Sequence, residues 1–292
     1  MSTAATALGL ARCGRGGLAV HVDPVTLALT LAIVLLGLVM VTSASVSIAS
    51  QETGQPFYYL ERQLLLTLIG AGCAALMFAI RTELLERAAV PLLALGVLLL
   101  IVVLIPGIGH AVNGSRRWLR LAGVNFQVSE LARVLTLIYL ASYAVRRESE
   151  LRGSLGGLTK ALGLLFGVSL LMLIEPDFGA ATVLFATGFG LLFLAGARLR
   201  YVIAMTAIAA AGFALLAVSS GYRLRRLTTF LDPWADPYHS GFQLTQSLIA
   251  IGRGQWLGVG LGDSVQKLFY LPEAHTDFLF AVLAEELGLL GV

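Results

Sequence analysis

Long apolar runs separated by short polar stretches make up most of this chain. A helix crosses a membrane core about 30 Å thick with roughly 20 predominantly apolar residues. Seven runs approach or reach that length, and an eighth begins near Thr276. The seven occupy residues 25–48, 64–80, 88–105, 130–145, 162–174, 178–195 and 201–219. Because lipid offers backbone polar groups no partner, repeated runs of this length predict an all-α fold, a polytopic integral membrane helical bundle.

The composition agrees with a lipid environment. Hydrophobic residues make up 58% of the chain and charged residues 13%, whereas about a quarter of an ordinary soluble domain is charged. The fifth run is short and is expected to extend back toward Leu155. The eighth run has no polar flank after it, so the sequence is expected to be a fragment of a longer protein.

The first 23 residues are expected to be a cytoplasmic tail that precedes a membrane domain at residues 24–292. This tail lacks the apolar core of a cleavable signal peptide, so the first run is expected to direct insertion. The two cysteines, Cys13 and Cys73, fall in the tail and inside the second run. That separation predicts no disulfide framework.

Charge predicts an orientation with the N-terminus inside and a long loop, residues 220–275, outside the cell. The short inside turns are dense in Lys and Arg, which is the pattern of cytoplasmic loops. Several arginines nevertheless fall on the outer face, the groups around Arg116 and Arg223 among them. Arginine suits bidentate phosphate recognition, so an anionic ligand is one interpretation. Contacts with lipid headgroups or with loop acids are the other.

The outer loop after the third run carries a turn signal at Asn113–Gly114. Ser129 is predicted to cap the fourth helix. Arg133 then lies about one turn inside that helix, on the same face as Glu130. The two residues form either a structural ion pair or part of a phosphate or lipid contact.

Between the fifth and sixth runs, Glu175-Pro-Asp177 predicts a tight turn with Asp177 as a helix cap. The two acids are also placed to neutralise outer arginines. In the long loop, residues 241–252 are too short to span a bilayer and predict a re-entrant or interfacial helix, with Leu244, Leu248 and Ile251 on one face. The glycines that follow favour close backbone approach to a neighbour or to a sugar-phosphate ligand.

The segment Leu271–Phe278 brings two carboxylates and a histidine to the mouth of the eighth run. Ionisable groups there are costly unless they serve a function, although Asp277 also fits a simple helix cap. Glu285 and Glu286 lie deeper, where one is expected to pair with Arg133 or another basic residue. No third and fourth ligand for a tight transition-metal site is evident, so a divalent ion shared with substrate phosphates fits better.

Five stretches together resemble the SEDS family, the shape, elongation, division and sporulation proteins. They are Asn113-Gly-Ser-Arg-Arg-Trp118, Ser129-Glu-Leu-Ala132, Glu175-Pro-Asp-Phe-Gly179, Gln246-Ser247 with Gly252, and Leu271-Pro-Glu-Ala-His-Thr-Asp-Phe278. Within the family, three further stretches look more like the division members than the elongation members. These are Asp232-Pro-Trp234, Gln243-Leu-Thr-Gln246 and Gly262-Asp-Ser-Val-Gln-Lys267. The resemblance departs at Val128, where proline is usual, and at Arg133, where lysine is common.

The resemblance implies a fold of about ten spans, of which this chain covers seven and part of the eighth. It also implies a peptidoglycan glycosyltransferase that polymerises lipid II at the outer face of the bacterial cytoplasmic (inner) membrane, at the division septum. The family's essential aspartate falls on Asp277. The implied partners are lipid II, membrane lipids, a class B penicillin-binding transpeptidase and other division proteins, with no nucleic acid.

We expect Asp277 to act as general base or as ligand of a shared Mg²⁺ or Mn²⁺ ion, with no organic cofactor. The expected substrate contacts are Arg116, Arg117, Arg223, Arg133, Arg253, Glu273, His275, Gln246 and Ser247. Two alternatives stay open. A lipid II flippase predicts a polar path on which Glu285, Glu286 and Arg133 face one another. A non-catalytic septal scaffold predicts that Asp277 is only a cap.

Overall fold

A computed structural model describes residues 23–112, 115–121, 124–153, 155–219 and 221–292. Most of these residues are helical, as the apolar runs predict. The helices are α1 (Pro24–Thr53), α2 (Tyr58–Ala79), α3 (Thr82–Leu104), α4 (Val128–Arg146), α5 (Glu148–Gly153), α6 (Leu155–Ile174), α7 (Phe178–Leu194), α8 (Leu199–Val218), α9 (Gly221–Leu231), α10 (Phe242–Gly254) and α11 (Leu279–Gly291). The predicted extension of the fifth run to Leu155 is confirmed.

The small sheet between α3 and α4 departs from the all-α expectation. It consists of β1 (His110–Val112), β2 (Ser115–Leu121) and β3 (Val124–Gln127), antiparallel in the order β1-β2-β3. In the second pair of strands, Trp118 lies opposite Gln127 and Leu121 opposite Val124. The predicted Asn113–Gly114 turn lies outside the described residues.

Local sequence explains where the first helix begins and ends. The Asp23 carboxylate accepts from the backbone N–H groups of Val25 (3.3 Å) and Thr26 (3.1 Å), and Pro24 occupies a first-turn position that needs no N–H partner. Gly54 ends the helix with φ at 70°, a left-handed conformation that glycine adopts without strain.

Five helices of the described chain are long and apolar enough to cross a membrane: α1, α2, α3, α4 and residues 156–174 of α6. The helices α7 and α8 are apolar but contribute shorter stretches. Many large aliphatic side chains of the long helices point outward, among them Ile33 of α1 at 70% exposed and Leu68 of α2 at 69%. Outward aliphatic side chains on long helices are what a lipid solvent favours, and they support the membrane assignment.

The chain forms two compact units. One comprises residues 70–231 and the other residues 1–69 together with 232–292. In the 70–231 unit, α3 and α4 approach each other closely at Gly96, where a Cβ would make ordinary van der Waals contact with α4. A Cβ there would meet the Ala132 backbone at 3.4 Å and the Leu135 side chain at 3.5 Å. Small residues commonly permit such close helix packing in membranes.

The unit formed by residues 1–69 and 232–292 joins α1, α10, α11 and the irregular segment 255–278. Its buried apolar residues are Met40, Ala44, Ala250, Leu271, Ala274, Ala281 and Val282. Leu271 and Ala274, which precede α11, are 1% and 0% exposed. The segment that carries Asp277 is therefore part of a packed core and not a free loop.

Two local predictions are wrong in ways that matter for the site. Gln127, not Ser129, occupies the N-cap position of α4, and Ser129 is the buried second residue of the helix. The helix of the eighth apolar run, α11, begins at Leu279, three residues later than Thr276. In α10, Leu248 and Ile251 lie together on the outward side, as the predicted aliphatic face requires, and the buried positions are Thr245, Ser247, Ala250 and Gly254.

Candidate functional site

A tight turn at residues 273–278 presents the predicted catalytic aspartate. The backbone N–H groups of Thr276 and Phe278 donate to the Glu273 carbonyl oxygen at 3.2 and 3.1 Å. The Thr276 hydroxyl donates to a Glu273 carboxylate oxygen at 2.8 Å. Glu273 has φ at 56°, a left-handed conformation that L-residues adopt at some cost. The three hydrogen bonds hold the turn in this shape.

Asp277 is exposed at the surface of this turn. Within the described ranges, its carboxylate forms neither a hydrogen bond nor an ion pair. Phe278 is the N-cap of α11 and provides no side-chain cap, so the helix-cap explanation of Asp277 does not fit this geometry. The carboxylate oxygens are free to accept a proton or to bind an ion.

The His275 side chain is partly buried and lies against α2. Its ring lies 4.7 Å from the Tyr59 ring, centroid to centroid. Its Nδ1 atom is buried and has no hydrogen-bond partner in the described part of the chain. The histidine thus packs against α2 while Asp277, two residues later, stays accessible.

Glu285 on α11 is fully buried and accepts hydrogen bonds from residues 264–266. The Ser264 hydroxyl and the backbone N–H groups of Val265 (3.3 Å) and Gln266 (3.4 Å) donate to its carboxylate. Arg253 of α10 lies 3.5 Å away. A buried carboxylate needs such partners because an isolated charge in an apolar interior is strongly unfavourable.

Glu286, the next residue of α11, is also buried and pairs with Lys267. The Lys267 ammonium lies 2.7 Å from its Oε1 atom, and only 8% of the lysine side chain is exposed. Ser43 of α1 donates to both Glu286 oxygens at 2.8 and 2.9 Å. The two helix acids therefore pair with basic residues of their own unit, as one of the two predicted possibilities required.

Close backbone contact holds the glycine-rich stretch against α11. The N–H groups of Val259 and Gly260 donate to the carbonyls of Glu285 (2.9 Å) and Glu286 (3.1 Å). A Cβ on Gly258 would lie 2.1 Å from the Glu286 carbonyl oxygen, so only glycine fits there. The prediction that these glycines permit close approach to a neighbour is confirmed.

In the 70–231 unit, Asp177 gathers a second polar cluster at the start of α7. Its carboxylate accepts from the Ser129 hydroxyl (2.8 Å), the Gln127 amide (3.1 Å) and the Ala180 backbone N–H (3.1 Å). Arg117 of β2 lies 3.6 Å away. The predicted Asp177 cap is confirmed, and it also neutralises an arginine.

Glu175, beside this cluster, is fully buried. Burial, together with the neighbouring Asp177 charge, raises the pKa of its carboxyl to about 8, against a smaller opposing effect of Arg117. Near neutral pH this side chain therefore holds a proton.

The remaining predicted contacts fall in both units. Arg116 on β2 is exposed, and Arg133 pairs with Glu130 on its own helix. The Arg223 side chain lies outside the described residues. Gln246 of α10 is half-buried, while Ser247 is buried and donates to the Leu244 carbonyl at 2.8 Å, which engages its hydroxyl within the helix.

Asp277 is a single exposed carboxylate, and the divalent ion expected beside it remains a prediction. Among the described residues, no three His, Cys, Asp or Glu side chains converge as a metal cage does. Mg²⁺ is often bound by one or two carboxylates together with substrate phosphates and water. An exposed Asp277 with free oxygens suits that mode.

The apolar bundle and its polar face define a polytopic helical membrane protein. Residues 24–292 match the family model described as the cell cycle protein family of FtsW, RodA and SpoVE. The chain belongs to this family.

Curated relatives and solved structures agree with that assignment. The chain is 56% identical over 262 residues to the probable peptidoglycan glycosyltransferase FtsW of Thioalkalivibrio sulfidiphilus, covering 90% of this chain and 66% of that protein. It is 55% identical to the FtsW of Nitrosococcus halophilus, covering 94% of this chain and 71% of that protein. The chain thus spans about two thirds of the length of these relatives.

Two solved structures share its fold. The crystal structure of Thermus thermophilus RodA, a rod shape determining protein, is 26% identical with a TM-score of 0.62, covering 93% of this chain and 69% of that one. A chain in a peptidoglycan synthase complex, studied for the coordination of polymerization and crosslinking, is 27% identical with a TM-score of 0.68. That match covers 93% of this chain and 73% of the other.

Proposed function

We propose that this chain is the larger part of a peptidoglycan glycosyltransferase that polymerises lipid II into β-1,4-linked glycan. The reaction takes place at the outer face of the cytoplasmic membrane during septal wall synthesis. The names of the curated relatives support this activity. In the proposed topology of seven spans and part of an eighth with the N-terminus inside, Asp277 lies on that outer face.

The observation that carries the proposal is the exposed carboxylate of Asp277 on a restrained turn, with no partner among the residues that the structure describes. The acceptor sugar's 4-hydroxyl attacks the anomeric carbon of a lipid-linked donor, and the undecaprenyl pyrophosphate leaves. Asp277 accepts the hydroxyl proton as general base. Inversion at an α-linked donor gives the β-1,4 linkage.

Cations stabilise the negative charge that develops on the leaving pyrophosphate. Arg116, Arg117 and Arg223 are the first candidates, with Arg133 and Arg253 second. Glu273, His275, Gln246 and Ser247 complete the expected substrate contacts. When bound beside Asp277, Mg²⁺ or Mn²⁺ supplies further positive charge for the substrate phosphates.

A class B penicillin-binding transpeptidase and other division proteins are the proposed partners, and the septum the proposed location. The support for a partner is the likeness to a chain of a solved peptidoglycan synthase complex. In such an assembly the polymerised glycan passes to a cross-linking enzyme.

The test is polymerisation by the full-length protein with its transpeptidase partner, labelled lipid II and Mg²⁺. Asp277→Asn and Asp277→Ala are expected to lower glycan formation by about 10²-fold or more, because the general base is lost. The matched control is Asp263→Asn, an exposed acid of the same segment, which should polymerise normally. Wild-type polymer from Asp277→Asn would reject the assignment.

The same proteins in lipid vesicles that contain labelled lipid II separate the alternatives. The flippase interpretation requires Glu285, Glu286 and Arg133 to line one polar path, yet each has a partner of its own: Arg253, Lys267 and Glu130 respectively. Movement of labelled lipid II across the bilayer without polymer would favour the flippase. Recruitment of the transpeptidase without either activity would favour the scaffold.

A further inference from the structure

Two consecutive glutamates of α11 hold one short segment of the preceding chain from both sides. Glu285 accepts from the Ser264 hydroxyl and from two backbone N–H groups, and Glu286 accepts from the Lys267 ammonium. Both carboxylates are almost completely buried, at 0% and 1% exposed. Residues 264–267 are therefore fixed on α11 by charge as well as by packing.

The Lys267–Glu286 pair also contacts a second helix, α1. Ser43 of α1 donates to Glu286 and accepts from the Lys267 ammonium at 3.0 Å. Among the described residues, the charged groups of this pocket are Lys267, Glu286, Glu285 and, at the edge, Arg253. The pocket is electrically balanced, with two acids and two bases.

Such a pair is poor support for stability but strong support for one geometry. Removing two charges from water offsets much of their attraction, and replacing a buried pair with neutral side chains is often neutral for stability. Removing a single partner, in contrast, leaves an uncompensated buried charge. A fixed register of the segment is therefore the more distinctive contribution of the pair.

The segment leads directly to Asp277 and returns to the same helix. The Leu271 N–H donates to the Gln266 carbonyl at 2.9 Å, and the buried Leu271 and Ala274 then fix the turn at 273–278. The chain enters α11 at Leu279. Asp277 thus lies on a closed excursion whose two ends are both attached to α11.

We propose that Lys267, Glu286 and Ser43 are positioning residues that set the location of the Asp277 carboxylate. The proposal rests on the proposed function, since it assigns these residues to the same reaction. Their charge balance fixes the start of the excursion, and the turn carries that placement to the carboxylate. Small displacements of a reacting group lower the rate steeply, so the effect falls on kcat.

The experiment compares single and double variants of the full-length protein with its partner, using labelled lipid II. Lys267→Met removes one charge, and Lys267→Met/Glu286→Gln removes both at similar volume. We expect the double variant to melt close to wild type while kcat stays about tenfold or more below it, with little change in KM. Hydrogen exchange over residues 268–278 should be faster in both variants.

Lys267→Arg/Glu286→Asp keeps both charges and roughly the summed length, and it should regain most of kcat. The control is Arg81→Met/Glu83→Gln, an exposed pair elsewhere, which should change neither rate nor exchange. Any of four results would overturn the proposal: wild-type kcat in the neutral double variant, a rise in KM larger than the fall in kcat, unchanged exchange, or a double variant that does not fold.

This result is independent of the test of Asp277 itself. If Asp277→Asn polymerises normally, the proposed function fails whatever the pair does. If Asp277→Asn is inactive but the neutral pair is fully active, the function stands and only the positioning role is rejected.

Discussion

At the scale of single residues, Asp277 and Glu175 are both carboxylates in turns beside helix starts, but their surroundings are opposite. Asp277 is exposed and bound to none of the described side chains, which keeps it accessible. Glu175 is fully buried beside Asp177, which raises the pKa of its carboxyl to about 8. The first suits proton transfer, and the second acts as a neutral polar side chain near pH 7.

Glu175→Gln should flatten the dependence of stability on pH. From about the ordinary carboxyl pKa up to about 8, the folded protein holds a proton that the unfolded chain releases, so stability falls as pH rises. A neutral amide of similar shape removes this linkage. Melting temperatures in detergent from about pH 5 to about pH 8 would measure it.

The control for that series is Glu83→Gln, an exposed acid of the same unit, which should keep the wild-type slope. If the melting temperatures of wild type and Glu175→Gln changed with pH to the same extent, the raised pKa of Glu175 would be contradicted.

The identity of the site residues could be predicted only in part from sequence. Asp277 stood out because charge at the mouth of an apolar run is unusual, and Glu130 with Arg133 followed from helical spacing. The pairing of Lys267 with Glu286 and Ser43 could not, because residues brought together by the fold from distant positions leave no local pattern. Ser129 was predicted to cap α4 because its local sequence fits a cap. In the structure its hydroxyl donates instead to the carboxylate of Asp177, the N-cap of α7.

At the scale of elements, the glycine-rich stretch after α10 depends on backbone contact with α11. Gly258 has φ at +77°, and a Cβ there would lie 2.1 Å from the Glu286 carbonyl oxygen. Gly258→Ala is therefore expected to destabilise the protein by at least about 1–3 kcal/mol. The melting temperature in detergent and the polymerisation rate should both be lower than those of the wild type.

Gly252→Ala is the matched control within α10, since nothing lies within 4 Å of a Cβ at that position. Alanine favours a helix over glycine by about 1 kcal/mol, so this variant should be neutral or slightly more stable. Equal loss in both variants would contradict the contact argument.

The elements themselves followed largely from hydropathy, with errors at their ends. Helix α2 begins at Tyr58, six residues before the predicted Leu64. The prediction was late because Glu61 and Arg62, near the start of the helix, interrupt the apolar run. The strand β2 was missed because its arginines drew attention as ligands for an anion, and its pairing with β1 and β3 depends on residues outside its own segment.

At the scale of the whole molecule, orientation in the membrane is the property that apolar runs alone do not determine. With the N-terminus inside, Asp263 faces outward and Glu148 lies in the cell. In a background lacking Cys13 and Cys73, Asp263→Cys should react with a membrane-impermeant maleimide in spheroplasts. Glu148→Cys should react only after permeabilisation, and the reverse pattern would invert the topology.

Helix α10 has consequences for how this sequence can drift over evolutionary time. Its inward positions are Thr245, Ser247, Ala250 and Gly254, and its outward positions include Leu248 and Ile251. Aliphatic residues on the outer side are interchangeable wherever lipid surrounds them, whereas an added methylene on the inner side meets a packed neighbour. Selection should therefore guard the small residues of this helix more strictly than its large ones, the reverse of a water-soluble core.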